Sequence, residues 1–147
     1  MKRLITFVVA LLFLLVSVSA QAVWTITETK GTIKDNKVEM RVVRLACTSD
    51  ASGTDYQLTT DVTGWYLYAV KTDPDGTDVP AGVYTVDVED EVNFHILDLD
   101  ARSTTATEMA KGSNTVGIFP MIMSQPSVVV STLGDTKKTD IYLYFVK

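Results

Sequence analysis

Three carboxylates flank a glycine in the stretch Asp73-Pro74-Asp75-Gly76-Thr77-Asp78. Calcium takes six to eight oxygen ligands, and alternating Asp side chains around a glycine can converge on such an ion. The stretch has the Asp-x-Asp-Gly element but lacks the downstream bidentate Glu of a complete calcium loop. The same residues also make a Pro-Asp-Gly turn, in which Pro74 presets φ and Gly76 takes a positive φ. Asp73, Asp75 and Asp78 are therefore candidate calcium ligands in a loop whose alternative reading is a stiff connector. No other cofactor is expected.

The remaining reactive residues do not assemble into a catalytic set. His95 is the only histidine, which excludes a zinc site built on several histidines. A Ser-His-Asp arrangement could draw on His95 and Asp98, yet no nucleophile-elbow sequence accompanies them. The paired acids Asp87 and Glu89 have the two-carboxylate form of a glycosidase, but they alternate with Val86 and Val88 and read as the solvated side of a strand. His95 shares parity with Leu97 and Leu99 and reads as a strand side chain. The chain is not expected to be an enzyme.

Charge and targeting narrow the function further. The chain opens with Lys2 and Arg3, continues through an apolar run from Leu4 to Val18, and reaches small residues at Ala20 and Ala22. This is the form of a secretory leader, and its apolar run falls short of the roughly 20 residues that span a bilayer. Cleavage fits after Ala20 or after Ala22, with Ala22 preferred. Residues 1–22 are thus expected to be a leader and 23–147 a single exported domain, secreted or periplasmic and free of the membrane once cleaved. The formal charge of -5 becomes -7 when Lys2 and Arg3 leave, with 11 basic against 18 acidic side chains. Such a surface repels phosphate backbones, so a nucleic-acid partner is not expected. Cys47 is the one cysteine; it reads as a small buried hydrophobe, with a bridge to another chain as the alternative.

Strands must position all of these groups. The sequence is rich in Val, Thr, Tyr and Ile with turn residues at short intervals, which predicts an all-β domain of about eight to nine strands. A two-sheet antiparallel β-sandwich, immunoglobulin-like or jelly-roll-like, accommodates them. In 84–89, Tyr84, Val86 and Val88 are expected inward. In the final strand Ile141, Leu143 and Phe145 face one way and Tyr142 and Tyr144 the other. The segment 127–133 is expected to form an antiparallel pair with this last strand across Gly134 to Thr139. A bulge near Val42 and Val43, or cover on both faces, would explain apolar residues on both parities of 38–47. In 65–70, Trp65, Leu67 and Ala69 oppose Tyr66, Tyr68 and Val70, which suits a central strand with its second face packed by another subunit. Tyr84 sits where a tyrosine corner could bond nearby backbone. Residues 101–112 lose the strand period and read as a loop or a helical turn.

With these strands placed, the stretches GWYLYAVKTDP (64–74), VYTVDVEDE (83–91), ARSTTATEMA (101–110) and YLYFV (142–146) resemble, in order, a group of small all-β proteins encoded by phages and prophages. The resemblance covers about residues 55–147. It implies a small all-β protein of structural role without enzymatic activity, and it carries over no functional residue. The export leader departs from that pattern, because a protein assembled into particles in the cytoplasm does not need one.

The function expected from the sequence is a non-catalytic exported sandwich that serves as a structural or interaction module. Its partner is another protein or a second copy, engaged through Trp65, Tyr66, Tyr68, Tyr142 and Tyr144, since aromatics are enriched in interface cores. The alternative is a calcium-stabilised adhesion or carbohydrate-binding module.

Overall fold

The computed structural model describes residues 23–33, 38–49, 54–58, 61–92, 95–112 and 119–147. Residues 1–22, where the leader is expected, lie outside them. Among the described residues there is no helix, hence none long and apolar enough to cross a membrane. Nine strands are present: β1 (Val23–Ile33), β2 (Val38–Thr48), β3 (Thr54–Gln57), β4 (Tyr66–Pro74), β5 (Tyr84–Glu89), β6 (His95–Arg102), β7 (Glu108–Lys111), β8 (Ser127–Ser131) and β9 (Lys138–Val146).

They form a five-stranded sheet in the order β1-β2-β9-β4-β7 and a four-stranded sheet in the order β3-β8-β5-β6. Every strand pairing is antiparallel. The pairs β2 with β9, β3 with β8, β4 with β7 and β5 with β6 are the rungs of one long ribbon. One arm runs from β2 to β5 and the other returns from β6 to β9. Rolling that ribbon brings β9 beside β4 and β8 beside β5 and so closes two sheets, which is a jelly roll. The immunoglobulin-like alternative is thereby set aside.

The core lies between the sheets. Val43 and Leu45 from β2, Leu67 and Val70 from β4, and Ile141, Leu143 and Phe145 from β9 meet Tyr84, Val86 and Val88 from β5 and Val128 and Val130 from β8. All of these are buried, and each large apolar side chain removed from water contributes roughly 1.5–3 kcal/mol. The alternation in β5 and β9 points these residues inward as expected.

Four expectations change. β2 keeps unbroken register with both neighbours, so it has no bulge; its outer residues Val38, Met40 and Val42 are half-buried. The irregularity lies in β4, where the register slips between Leu67 and Ala69. That extra residue moves the inward parity from Leu67 to Val70 and Thr72, which is why the strand reads as apolar on both sides. β8 and β9 are not a hairpin, because β8 belongs to the four-stranded sheet and β9 to the five-stranded one. Residues 108–111 are a short edge strand, β7, where the sequence suggested a loop or helical turn.

β7 is followed by Gly112, whose N–H donates to the Tyr68 carbonyl at 2.7 Å. A Cβ at this position would lie 2.1 Å from the Leu67 carbonyl oxygen, so the close approach requires glycine. Further along the same edge, Leu67 N–H donates to Pro120 and Ile122 N–H to Trp65, at 3.0 and 2.8 Å. The segment around Pro120 thus continues the edge beyond β7, placed where a residue without an N–H is tolerated.

Tyr84 is also used differently from expectation. Its ring is fully buried, and its hydroxyl meets Thr139 Oγ1 at 3.0 Å. This bond joins β5 of one sheet to β9 of the other, so it fastens the sandwich together rather than forming a corner with local backbone.

Candidate functional site

The outer face of the five-stranded sheet gathers the tyrosines. The β2, β9, β4 and β7 registers put Arg44, Tyr142, Lys71 and Met109 in one row across the strands. The β4 slip sets Tyr68 and Ala69 together opposite Tyr144. Tyr68 turns outward, 42% exposed, and packs on Phe119 with ring centroids 5.1 Å apart. Tyr66 is 41% exposed, while Tyr142 and Tyr144 are half-buried.

Charged groups fix this aromatic band. Lys71 Nζ lies 4.4 Å from the centre of the Tyr142 ring, and the Arg44 guanidinium lies 5.9 Å from it on the neighbouring strand. Arg44 is paired with Asp140 at 2.5 Å and Lys71 with Asp73 at 3.0 Å. Hydrogen bonds donated to these carboxylates raise the pKa values of both cations, so the groups over the ring stay charged. Exposed pairs of this kind are worth under about 1 kcal/mol in stability. Their effect here is to orient.

Trp65 does not belong to this surface. It is 6% exposed and packs within the core, with the Arg41 guanidinium 4.5 Å from its ring centre. A side chain buried to that extent has no face left for a partner. Phe119, Met109 and Met121 are the surface members that sequence reasoning missed. Met109 and Met121 are 63% and 44% exposed; β7 was not recognised as a strand, so no parity could be assigned to Met109.

The acidic loop adjoins this face. Arg44, Asp73, Asp75, Lys138 and Asp140 line a cleft of about 440 Å³ between the ends of β2, β4 and β9. The three candidate calcium ligands have separate partners. Asp73 accepts from Thr107 Oγ1 at 2.5 Å and from Lys71 Nζ. Asp75 Oδ1 accepts from the backbone N–H groups of Thr77 and Asp78, both at 2.7 Å. Asp78 pairs with Lys138. These donors hold the Asp73 and Asp75 carboxyls below their ordinary pKa, for Asp73 through Thr107 first and for Asp75 through the two amides. Gly76 does not have the positive φ expected of it, because the Asp75 side chain forms the turn instead.

No protein-family model matches the chain, and no curated protein matches it. The fold has solved counterparts. A chain from the acidic stable capsid structure of Helicobacter pylori bacteriophage KHP30 superposes with a TM-score of 0.50 at 13% identity, covering 84% of this chain and 94% of the other. The fold is shared with a phage capsid chain. A xylan-binding domain of carbohydrate-binding family 22 gives a TM-score of 0.37 at 15% identity, covering 88% and 86% of the two chains. The corresponding xylan-binding domain of Paenibacillus barcinonensis Xyn10C gives 0.35 at 9%, covering 86% and 85%.

Proposed function

We propose that the protein is a non-catalytic, exported structural module that associates with further copies of itself through the outer face of its five-stranded sheet. The observation that carries this reading is the band of Tyr66, Tyr68, Tyr142 and Tyr144, bordered by exposed Met109 and Met121. Tyr, Met and Arg are the residues enriched in protein interfaces, where rigid aromatic rings dominate the energy. The fold shared with a bacteriophage capsid chain fits a structural role, and the leader at 1–22 directs it to the periplasm or the cell exterior.

Light scattering after size exclusion, run at micromolar concentration on residues 23–147, tests the proposal. The expected result is an oligomer that Tyr66→Ser with Tyr68→Ser weakens at least about tenfold, the loss of one or two hot spots. A wild-type monomer would overturn it. The cleft beside Tyr142, with both carboxylates and cations on its rim, favours a second reading as a carbohydrate-binding module. Saturable oligosaccharide binding by a monomer would select that reading.

A further inference from the structure

The opposite face of the sandwich carries a second constellation, on β5 and β6. Asp87 and Asp98 are direct cross-strand partners. Like charges placed opposite one another on a sheet are destabilising. Three residues before Asp98 stands His95, which simple alternation would put on the other face. Between Val88 and Glu89 the register of this pair slips, and the extra β6 residue, Ile96, brings His95 round to the side of the two carboxylates. One ligating atom from each of Asp87, His95 and Asp98 then lies within 4.8 Å of the others, and among the described residues they are the one such group of three.

Two further features bear on what the group is for. Asp87 Oδ1 is closed to solvent and has no hydrogen-bond partner. Burying an unpaired carboxylate oxygen costs free energy that something must offset. Burial, followed by the hydrogen bond and charge of Asp98, pushes the Asp87 carboxyl up to about 6. Glu89, its side chain 13% exposed, holds the His95 ring with Oε1 3.2 Å from Nε2, as carboxylates hold the imidazoles that bind metals.

We infer that Asp87, His95 and Asp98 form a binding site for one divalent transition-metal ion of the zinc type. A bound dication would satisfy the orphaned oxygen and neutralise the opposed pair together. The imidazole nitrogen sets the class of ion: one nitrogen with carboxylate oxygens suits zinc, whereas calcium takes oxygen alone. Donor atoms around tetrahedral zinc sit about 3.3 Å apart, and the three ligating atoms here already lie within 4.8 Å of one another. The site is independent of the tyrosine face, which lies on the other sheet.

Isothermal titration of chelator-stripped residues 23–147 with zinc chloride at neutral pH tests this. One ion per chain is expected, with binding weakened at least about tenfold by His95→Ala and by Asp98→Asn, both at exposed positions. Asp87→Asn separates a site from a merely structural contact. It should raise the melting temperature of the metal-free protein by removing the charge conflict, and abolish the further rise that zinc gives the wild type. Absence of zinc binding in the wild type would overturn the inference and leave two carboxyls sharing a proton. Binding untouched by all three substitutions, or an equal response to calcium, would overturn it as well.

Discussion

Replacing Tyr84 by Phe removes one oxygen atom and isolates what the inter-sheet hydrogen bond contributes. The ring stays, so the packing of the largest fully buried side chain is unchanged. What is lost is the 3.0 Å bond to Thr139 Oγ1, and Thr139, itself 1% exposed, keeps a hydroxyl that water cannot reach. The net value of a buried hydrogen bond is about 1 kcal/mol, and stranding the partner adds a penalty of similar size. The expected loss is therefore about 2 kcal/mol, which for a domain of this length lowers the melting temperature by about 8 °C. Urea and thermal unfolding followed by circular dichroism would measure it. The reasoning makes a sharper demand of the double variant Tyr84→Phe, Thr139→Val. With both hydroxyls gone, neither member of the pair is left stranded, and most of the stability should return. A single variant within about 0.5 kcal/mol of wild type, or a double variant no more stable than the single, would refute the assignment of this bond as the link between sheets.

Two other outcomes are expected. Burial pushes the Cys47 thiol up to about 12, so the native protein should resist a thiol reagent at mildly alkaline pH and react fully in urea; rapid native labelling, or a disulfide-linked dimer on a non-reducing gel, would contradict the buried position. The Asp73 and Asp75 carboxyls are held below their ordinary value of 3.8, so their contribution is present above that pH and disappears as pH falls through it toward their folded values. Melting temperatures followed from about pH 5 to pH 2 should fall less steeply in Asp73→Asn and Asp75→Asn than in wild type, and identical slopes would exclude the two residues from acid unfolding.

What could be read from the sequence depended on how regularly each strand is half-buried. β5 and the outer and inner sets of β9 were legible because one face meets the core at every second residue, leaving a period of two. Tyr66 and Tyr68 stand on a strand that is apolar on both parities, and they were named as surface candidates because aromatic residues are enriched in interfaces. Trp65 was misassigned because it stands one residue ahead of β4, where the chain is entering the core. Bulges erased the rest. The slip in β4 interchanged inward and outward residues, and the slip in β6 carried His95 to the side of Asp98, so no count of alternate positions could unite His95 with Asp87. Pairing was the least legible property. The short Gly134 to Thr139 turn suggested a hairpin, yet a short connection can cross between sheets as easily as reverse within one. β7, at four residues with a half-exposed pattern, was too short to announce itself.

The rolled ribbon also governs when this chain can become a protein. β2 is complete early, but its partner β9 is the last strand made, so Val42 waits for Tyr144 and Leu45 for Ile141. Until then the central position between β2 and β4 is vacant, with β2 paired only to β1 and β4 only to β7. Contacts this distant along the chain make folding slow, on the scale of milliseconds to seconds, because loop closure must precede its reward. Emergence of β9 thus acts as a timer. Export of the kind proposed above would gain from such a delay, since the core cannot close until β9 has been made.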